Sequence, residues 1–168
     1  MLNIRNATAD DASLVLDFIR RLAEYEREPD AVLATEQDLL RDGFGPEPKY
    51  RSVIAEWNGK PAGFALFFYN YSTWRGHAGL YLEDLFVLPE MRGNGIGKAL
   101  LQYLAKTAVE EQCYGISWMV LEWNEPALKF YDSLGAVILG DWETMRLTGP
   151  ALQRLAEAEL PLSRKSGT

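Results

Sequence analysis

Tyr81-Leu82-Glu83-Asp84-Leu85-Phe86-Val87-Leu88-Pro89-Glu90-Met91-Arg92-Gly93-Asn94-Gly95-Ile96-Gly97-Lys98-Ala99-Leu100 reads as a strand, a glycine-rich turn and the start of a helix. Aromatic and aliphatic residues dominate up to Leu88, as in a buried strand. Pro89 has no N–H for a ladder and ends it. From Ala99 the apolar residues Leu100, Leu101, Leu104, Ala105 and Ala108 recur at helical spacing. Between the two lies Arg92-Gly93-Asn94-Gly95-Ile96-Gly97. Without a Cβ, glycine lets backbone N–H groups crowd around an anion, and the following helix turns its positive end to the same place. The segment reads as a cradle for the pyrophosphate of a nucleotide-like cofactor. A chemically idle turn would need one or two glycines; three at a helix start cost about 1 kcal/mol each relative to alanine.

Two phosphate-binding motifs do not fit. A Walker loop requires a hydroxyl after its lysine, and Ala99 follows Lys98. A dinucleotide fingerprint requires G-x-G-x-x-G early in a βαβ unit; here the glycines alternate and lie mid-chain.

Working outward, Leu2 to Arg5 is a strand, and Asp10-Asp11 caps an amphipathic helix from Ala12 to Glu28, stopped by Pro29. Thr35-Glu36 opens a short helix that ends at Asp42-Gly43. Tyr50 to Trp57 and Ala62 to Tyr69 form a hairpin about Asn58-Gly59. Gly79 to Val87 is the next strand, and Lys98 to Glu111 the long helix. Gly115 to Leu121 is a strand and Pro126 to Leu134 a helix. Ala136 to Leu139 and Glu143 to Leu147 make a terminal hairpin, followed by a helix from Ala151 to Glu159 and a frayed tail from Ser163 to Thr168. This order specifies a mixed α/β fold with a largely antiparallel sheet.

The chain has 168 residues, 48% hydrophobic and 24% charged, which suits one globular domain spanning 1–168. A net charge of −7 argues against nucleic acid as a partner and favours cationic small molecules. No apolar run approaches membrane-spanning length, and no cluster of metal ligands or Walker motif supports a kinase or nucleotidase. Cys113 is the only cysteine, so a reducing cytoplasm is expected and the thiol reads as packed rather than nucleophilic. His77 reads as a loop residue.

Arg92, Gly95 and Gly97 occupy the positions of [R/Q]-x-x-G-x-[G/A], and in this the chain resembles the GCN5-related N-acetyltransferase superfamily. Leu22-Ala23-Glu24-Tyr25-Glu26, Asp38-Leu39-Leu40-Arg41-Asp42-Gly43-Phe44-Gly45, Tyr81-Leu82-Glu83-Asp84 and Leu121-Glu122-Trp123-Asn124-Glu125-Pro126-Ala127-Leu128-Lys129-Phe130-Tyr131 narrow the likeness to the diamine N-acetyltransferase family. It runs from about Ile4 to Leu147. The resemblance implies an acyl-CoA N-acyltransferase fold, a mixed, mostly antiparallel central sheet flanked by helices. It implies acetyl-CoA as co-substrate, a small-molecule amine as acceptor, no metal, and a homodimer to which Trp142 and the terminal hairpin could contribute.

Residue roles follow from the same resemblance. Leu85, Phe86 and Val87 would hold the pantetheine arm by their amides. Arg92, Gly93, Asn94, Gly95, Ile96, Gly97 and Lys98 would wrap the pyrophosphate, with Asn124 and Ala127 on the cofactor's far side. Tyr131 would protonate the departing thiolate. Glu83 would bind the amine and help deprotonate it, with Tyr25, Glu26 and Trp74 as further acceptor-binding residues. The chemistry is consistent, because an ammonium must lose a proton before it can attack a thioester. Periodicity alone makes Tyr131 a core aromatic, and the Asn124-Glu125-Pro126 context carries the catalytic reading. Glu26 equally fits an exposed acidic helix end with Glu24 and Glu28.

In the polyamine branch an acid precedes Pro-Trp in the loop before the Glu83 strand. Here Tyr71-Ser72-Thr73-Trp74-Arg75-Gly76 has Ser72 in place of the acid, closer to the thialysine branch. One carboxylate fewer weakens the grip on a second ammonium, so an amino acid such as thialysine is the expected acceptor and spermidine a poor one. The competing readings are a protein or peptide lysine or N-terminal acetyltransferase and a non-catalytic CoA-binding sensor.

Overall fold

The computed structural model describes residues 1–140 and 143–158. The chain folds as two compact units, Met1–Asn124 and Glu125–Thr168.

The first unit is built on a five-stranded sheet in sequence order: β1 (Leu2–Asn6), β2 (Arg51–Trp57), β3 (Lys60–Ser72), β4 (His77–Val87) and β5 (Ile116–Ser117). The first four are antiparallel neighbours, and β5 joins β4 in parallel. Asn58 and Gly59 both adopt positive φ (52° and 76°), the requirement of the tight hairpin turn their sequence signals. Helices α1 (Ala12–Tyr25) and α2 (Glu36–Phe44) cover one face, and α3 (Ile96–Glu110) packs on the sheet as well. Thr35 caps α2: its hydroxyl accepts from the Asp38 N–H at 3.2 Å, and the Asp38 carboxylate accepts from the Thr35 N–H at 3.0 Å.

The α1–α2 face buries Val15, Leu16, Phe18, Leu39, Ile54, Phe64, Leu66 and Phe86 as one cluster. Phe18 stacks on Phe64 with centroids 5.4 Å apart. Arg5 in β1 ties the layers together. Its Nη1 and Nη2 donate to the two Asp11 carboxylate oxygens at 2.7 and 2.8 Å, and its Nε donates to Glu56 at 2.8 Å.

One irregularity sets the chemistry of the central strand. Leu66 pairs with Asp84, but Phe67 pairs with Leu82, so Glu83 is an extra residue opposite no partner, a β-bulge. Directly opposite residues share a face. Asp84 therefore lies with Leu66, and Phe86 with Phe64, on the face under α1 and α2, whereas Leu82 lies with Phe67 on the other.

The second unit contains α4 (Glu125–Asp132) and α5 (Gly149–Glu157). The expected terminal hairpin is not formed among the described residues: 136–139 and 143–147 carry no strand. Strand propensity needs a ladder partner to become structure, and neither segment has one among the described residues. Trp142 and the tail from Ser163 to Thr168 lie outside the described residues. The strand expected over Gly115 to Leu121 shortens to Ile116–Ser117. No helix among the described residues is long and apolar enough to cross a membrane.

Candidate active site

The glycine-rich loop leaves β4 through a short turn at Pro89–Met91 and enters α3 at Ile96. Gly93 and Gly95 sit at φ 80° and 76°, a region that strains any residue with a Cβ. A Cβ built at either would meet nothing within 4 Å, so the loop opens to space on that side. The first turn of α3 has no acidic residue, and the N–H groups that begin a helix have no acceptor within it. Asn94 braces the loop by donating its Nδ2 to the Met91 carbonyl at 3.0 Å. An open, glycine-lined cradle at an acid-free helix start fits a pyrophosphate.

β5 accompanies β4 only at Leu80↔Ile116 and Tyr81↔Ser117. Beyond Tyr81, among the described residues, no strand pairs with the β5-side edge of Leu82 to Val87. Leu85, Phe86 and Val87 thus stand beside an edge that can accept an extended amide-bearing chain, next to the pyrophosphate cradle. This geometry fits an extended arm such as pantetheine.

The acceptor side is acidic. Asp84 is partly buried beneath α1 and α2. Desolvation pushes its carboxyl up to about 7, and the neighbouring charges of Glu83 and Glu26 add to the shift. Glu26, at the end of α1, is raised by burial alone. Glu83 is exposed. Tyr81, raised by burial and then by Glu83, packs its ring 5.1 Å from Phe68 on the same face.

Four side chains from three segments are stacked between the acidic side and the loop. The Arg92 guanidinium lies 4.6 Å over the Tyr25 ring, Tyr25 lies 6.3 Å from Trp123, and the Arg27 guanidinium caps Trp123 at 4.2 Å. Tyr25 donates its hydroxyl to Asn124 Oδ1 at 3.1 Å, and Arg92 donates Nε to the Val87 carbonyl at 3.1 Å. The structure therefore brings together Tyr25, Glu26, Glu83, Leu85 to Val87, Arg92 to Lys98 and Asn124 within the first unit. Trp74, at the β3–β4 turn, is 89% exposed. Ala127 and Tyr131 belong to the second unit, four residues apart on one side of α4, and Tyr131 packs against Phe130 with centroids 5.3 Å apart.

Sequence reasoning missed Asp84 as the most perturbed carboxyl and Arg27 as part of the stack. Strict alternation along β4 hides the first, because only the pairing register reveals the bulge. The second carried a weak signal, a long side chain where the sequence wants glycine after a helix.

The class of the protein is shown by its family. The chain matches the Acetyltransferase (GNAT) family over residues 15–136, and it belongs to that family and is an acetyltransferase enzyme. Thialysine N-epsilon-acetyltransferase of Bos taurus is 38% identical over 164 residues, covering 91% of this chain and 96% of the relative. L-ornithine N5-acetyltransferase of Arabidopsis thaliana is 43% identical over 119 residues, covering 71% and 49%. Spermidine/spermine N(1)-acetyltransferase-like protein 1 of Homo sapiens is 37% identical over 93% of this chain and 24% of its own length. Among solved structures, an integron cassette protein from the mobile metagenome of V. cholerae superposes with a TM-score of 0.78 at 28% identity, over 94% and 98% of the two chains.

Proposed function

We propose that the protein transfers an acetyl group from acetyl-CoA to the side-chain amine of a small amino acid such as thialysine or ornithine. The observation that carries this reading is the group of carboxyls at the β4 bulge, Glu83, Asp84 and Glu26, beside the pyrophosphate cradle. They suit a small cation that must be held and then deprotonated. The named relatives act on amines of this kind by their printed names.

Acetyl-CoA supplies the activated acetyl group. The chain's own residues do the rest. Arg92 to Lys98 hold the pyrophosphate, and Leu85 to Val87 the arm, with Asn124 and Ala127 beside it. Glu83 and Glu26 attract the ammonium, and Tyr25 and Trp74 wall it in. Asp84, whose carboxyl titrates near neutral pH, takes the proton that the amine must lose. Tyr131, by resemblance, returns a proton to the departing thiolate. The whole chain acts as one functional domain in a reducing cytoplasm, where Cys113, its thiol raised by burial and Glu111, stays inert. A homodimer is supported by Val137, Ile138 and Met145, which are 80%, 82% and 89% exposed, as surfaces covered by a second subunit often are before assembly.

Release of free CoA thiol from acetyl-CoA, measured against thialysine, ornithine, putrescine, spermidine and a lysine peptide, tests this. Turnover with the amino acids that falls at least a hundredfold in Tyr131→Phe supports it. Turnover with the peptide alone assigns a protein target instead, and acetyl-CoA binding without turnover of any acceptor assigns a sensor.

A further inference from the structure

Arg27 occupies a position where the backbone favours glycine. After α1 the chain closes with paired hydrogen bonds, Glu28 N–H to the Ala23 carbonyl at 2.9 Å and Arg27 N–H to the Glu24 carbonyl at 3.1 Å. This is the Schellman arrangement, whose left-handed residue is usually glycine. Arg27 takes it at φ 67°. A strained non-glycine residue at a site edge points to a use for its side chain, and here that side chain is held in place. Its guanidinium carbon lies 4.2 Å from the centre of the Trp123 ring, which in turn packs against Tyr25.

A cation–π contact spends no N–H donor of the guanidinium in a hydrogen bond to an acceptor, and the fork of donors stays available. Glu24, Glu26 and Glu28 surround Arg27 in sequence, yet Arg27 forms no ion pair with any carboxylate among the described residues. It is nevertheless the immediate neighbour of Glu26, whose charge is felt at Asp84. The acceptor side thus carries three carboxyls and, at its rim, one oriented cation with a planar fork of donors. That fork matches a carboxylate in two-point contact.

We propose that Arg27 binds the carboxylate of the acceptor, so that the site recognises a zwitterion: ammonium toward Glu83, Asp84 and Glu26, carboxylate toward Arg27. The same guanidinium repels the second ammonium of a diamine. Arg27 is a specificity residue, and the proposal rests on the small-amine reading above.

The test compares each amino acid with its decarboxylated counterpart, ornithine with putrescine and lysine with cadaverine, in wild type, Arg27→Gln and Arg27→Lys. In the wild type kcat/KM favours the amino acid of each pair. In Arg27→Gln that preference falls at least tenfold, through KM of the amino acid rather than kcat, and Arg27→Lys restores part of it. An unchanged amino-acid-to-diamine ratio in Arg27→Gln, or a loss falling equally on both, overturns the assignment. Arg27→Gly relieves the backbone strain and must show the same loss of preference, which separates recognition from misfolding. A wild type that prefers the diamines overturns this inference while leaving acetyl transfer to small amines intact. A wild type that turns over none of the four overturns both.

Discussion

Glu83 and Asp84 are chain neighbours with different chemistry. The bulge residue Glu83 is exposed, while the ladder carries Asp84 under α1 and α2. A solvated carboxylate attracts a cation but is a weak base. One desolvated to about 7 binds a proton more tightly yet is ionised at mildly alkaline pH, the balance a general base requires. In Asp84→Asn, kcat/KM at pH 8 is expected to fall by about 10²–10⁴-fold. The rise through pH 7 should vanish, leaving only the ionisation of the amine itself near pH 10. Glu83→Gln should raise KM and keep the rise. Persistence of that limb in Asp84→Asn, read from initial rates at pH 5.5 to 9.5, would assign the base elsewhere. Both acids stand in plain view as Glu83-Asp84 in an apolar strand, so the site is legible from the sequence. Their division of labour is not, because it depends on which residue the partner strand skips.

At the scale of elements, the loop and the end of α1 both use left-handed backbone, with opposite residue choices. Gly93 and Gly95 satisfy the geometry without strain, whereas Arg27 does not. Replacing Arg27 by glycine should therefore raise stability by about 1 kcal/mol, visible as a higher melting temperature, while acceptor preference suffers. Gly95→Ala should do the reverse. Its Cβ clashes with nothing, but φ 76° disfavours it, so the loop would relax away from its cradle shape and the Kd for CoA would rise about tenfold. An unchanged Kd by calorimetry would remove the loop from the binding site. The hairpin at Asn58-Gly59, the capped α2 and the long α3 are all legible locally, because turn chemistry and periodicity act within a few residues. The segments at 136–139 and 143–147 have strand composition too, yet strands are completed by neighbours, and composition does not say whether a neighbour is present.

For the whole molecule, two carboxyls impose opposite pH demands. Asp11, held down to about 2 first by its hydrogen bonds to Arg5, stabilises the fold above about pH 4, and that contribution is lost as pH falls toward 2. Asp84 is raised, so its folded form keeps a proton that the unfolded chain gives up near pH 4. Its contribution is complete below pH 4 and is lost between about 4 and 7, by at most ~4 kcal/mol. The opposing slopes of these two groups cancel near pH 4, below the range where Asp84 can act as a base. Urea denaturation across pH should show both contributions by difference: the loss between pH 4 and 7 is relieved in Asp84→Asn, and the loss below pH 4 shrinks in Asp11→Asn. Equal slopes in wild type and Asp84→Asn between pH 5 and 7 would contradict the burial of that carboxyl. The Arg5 clasp itself escapes sequence reading, since Arg5, Asp11 and Glu56 meet only once β1 and β2 are paired.

Deleting a residue from a central strand ordinarily inverts every side chain beyond it. The bulge makes Glu83 an exception. Leu82 and Asp84 already face opposite sides with Glu83 counted as surplus, so excising it leaves Asp84, Leu85, Phe86 and Val87 on their present faces and in their present register. A chain shortened by Glu83 alone should fold and bind CoA; one shortened by Asp84 puts Glu83 opposite Leu66, keeps Phe86 packed against Phe18 and Phe64, and differs only in the carboxyl it carries there. The strand behaves like a sentence with a parenthesis at Glu83: the grammar closes without it, and function is what was written inside.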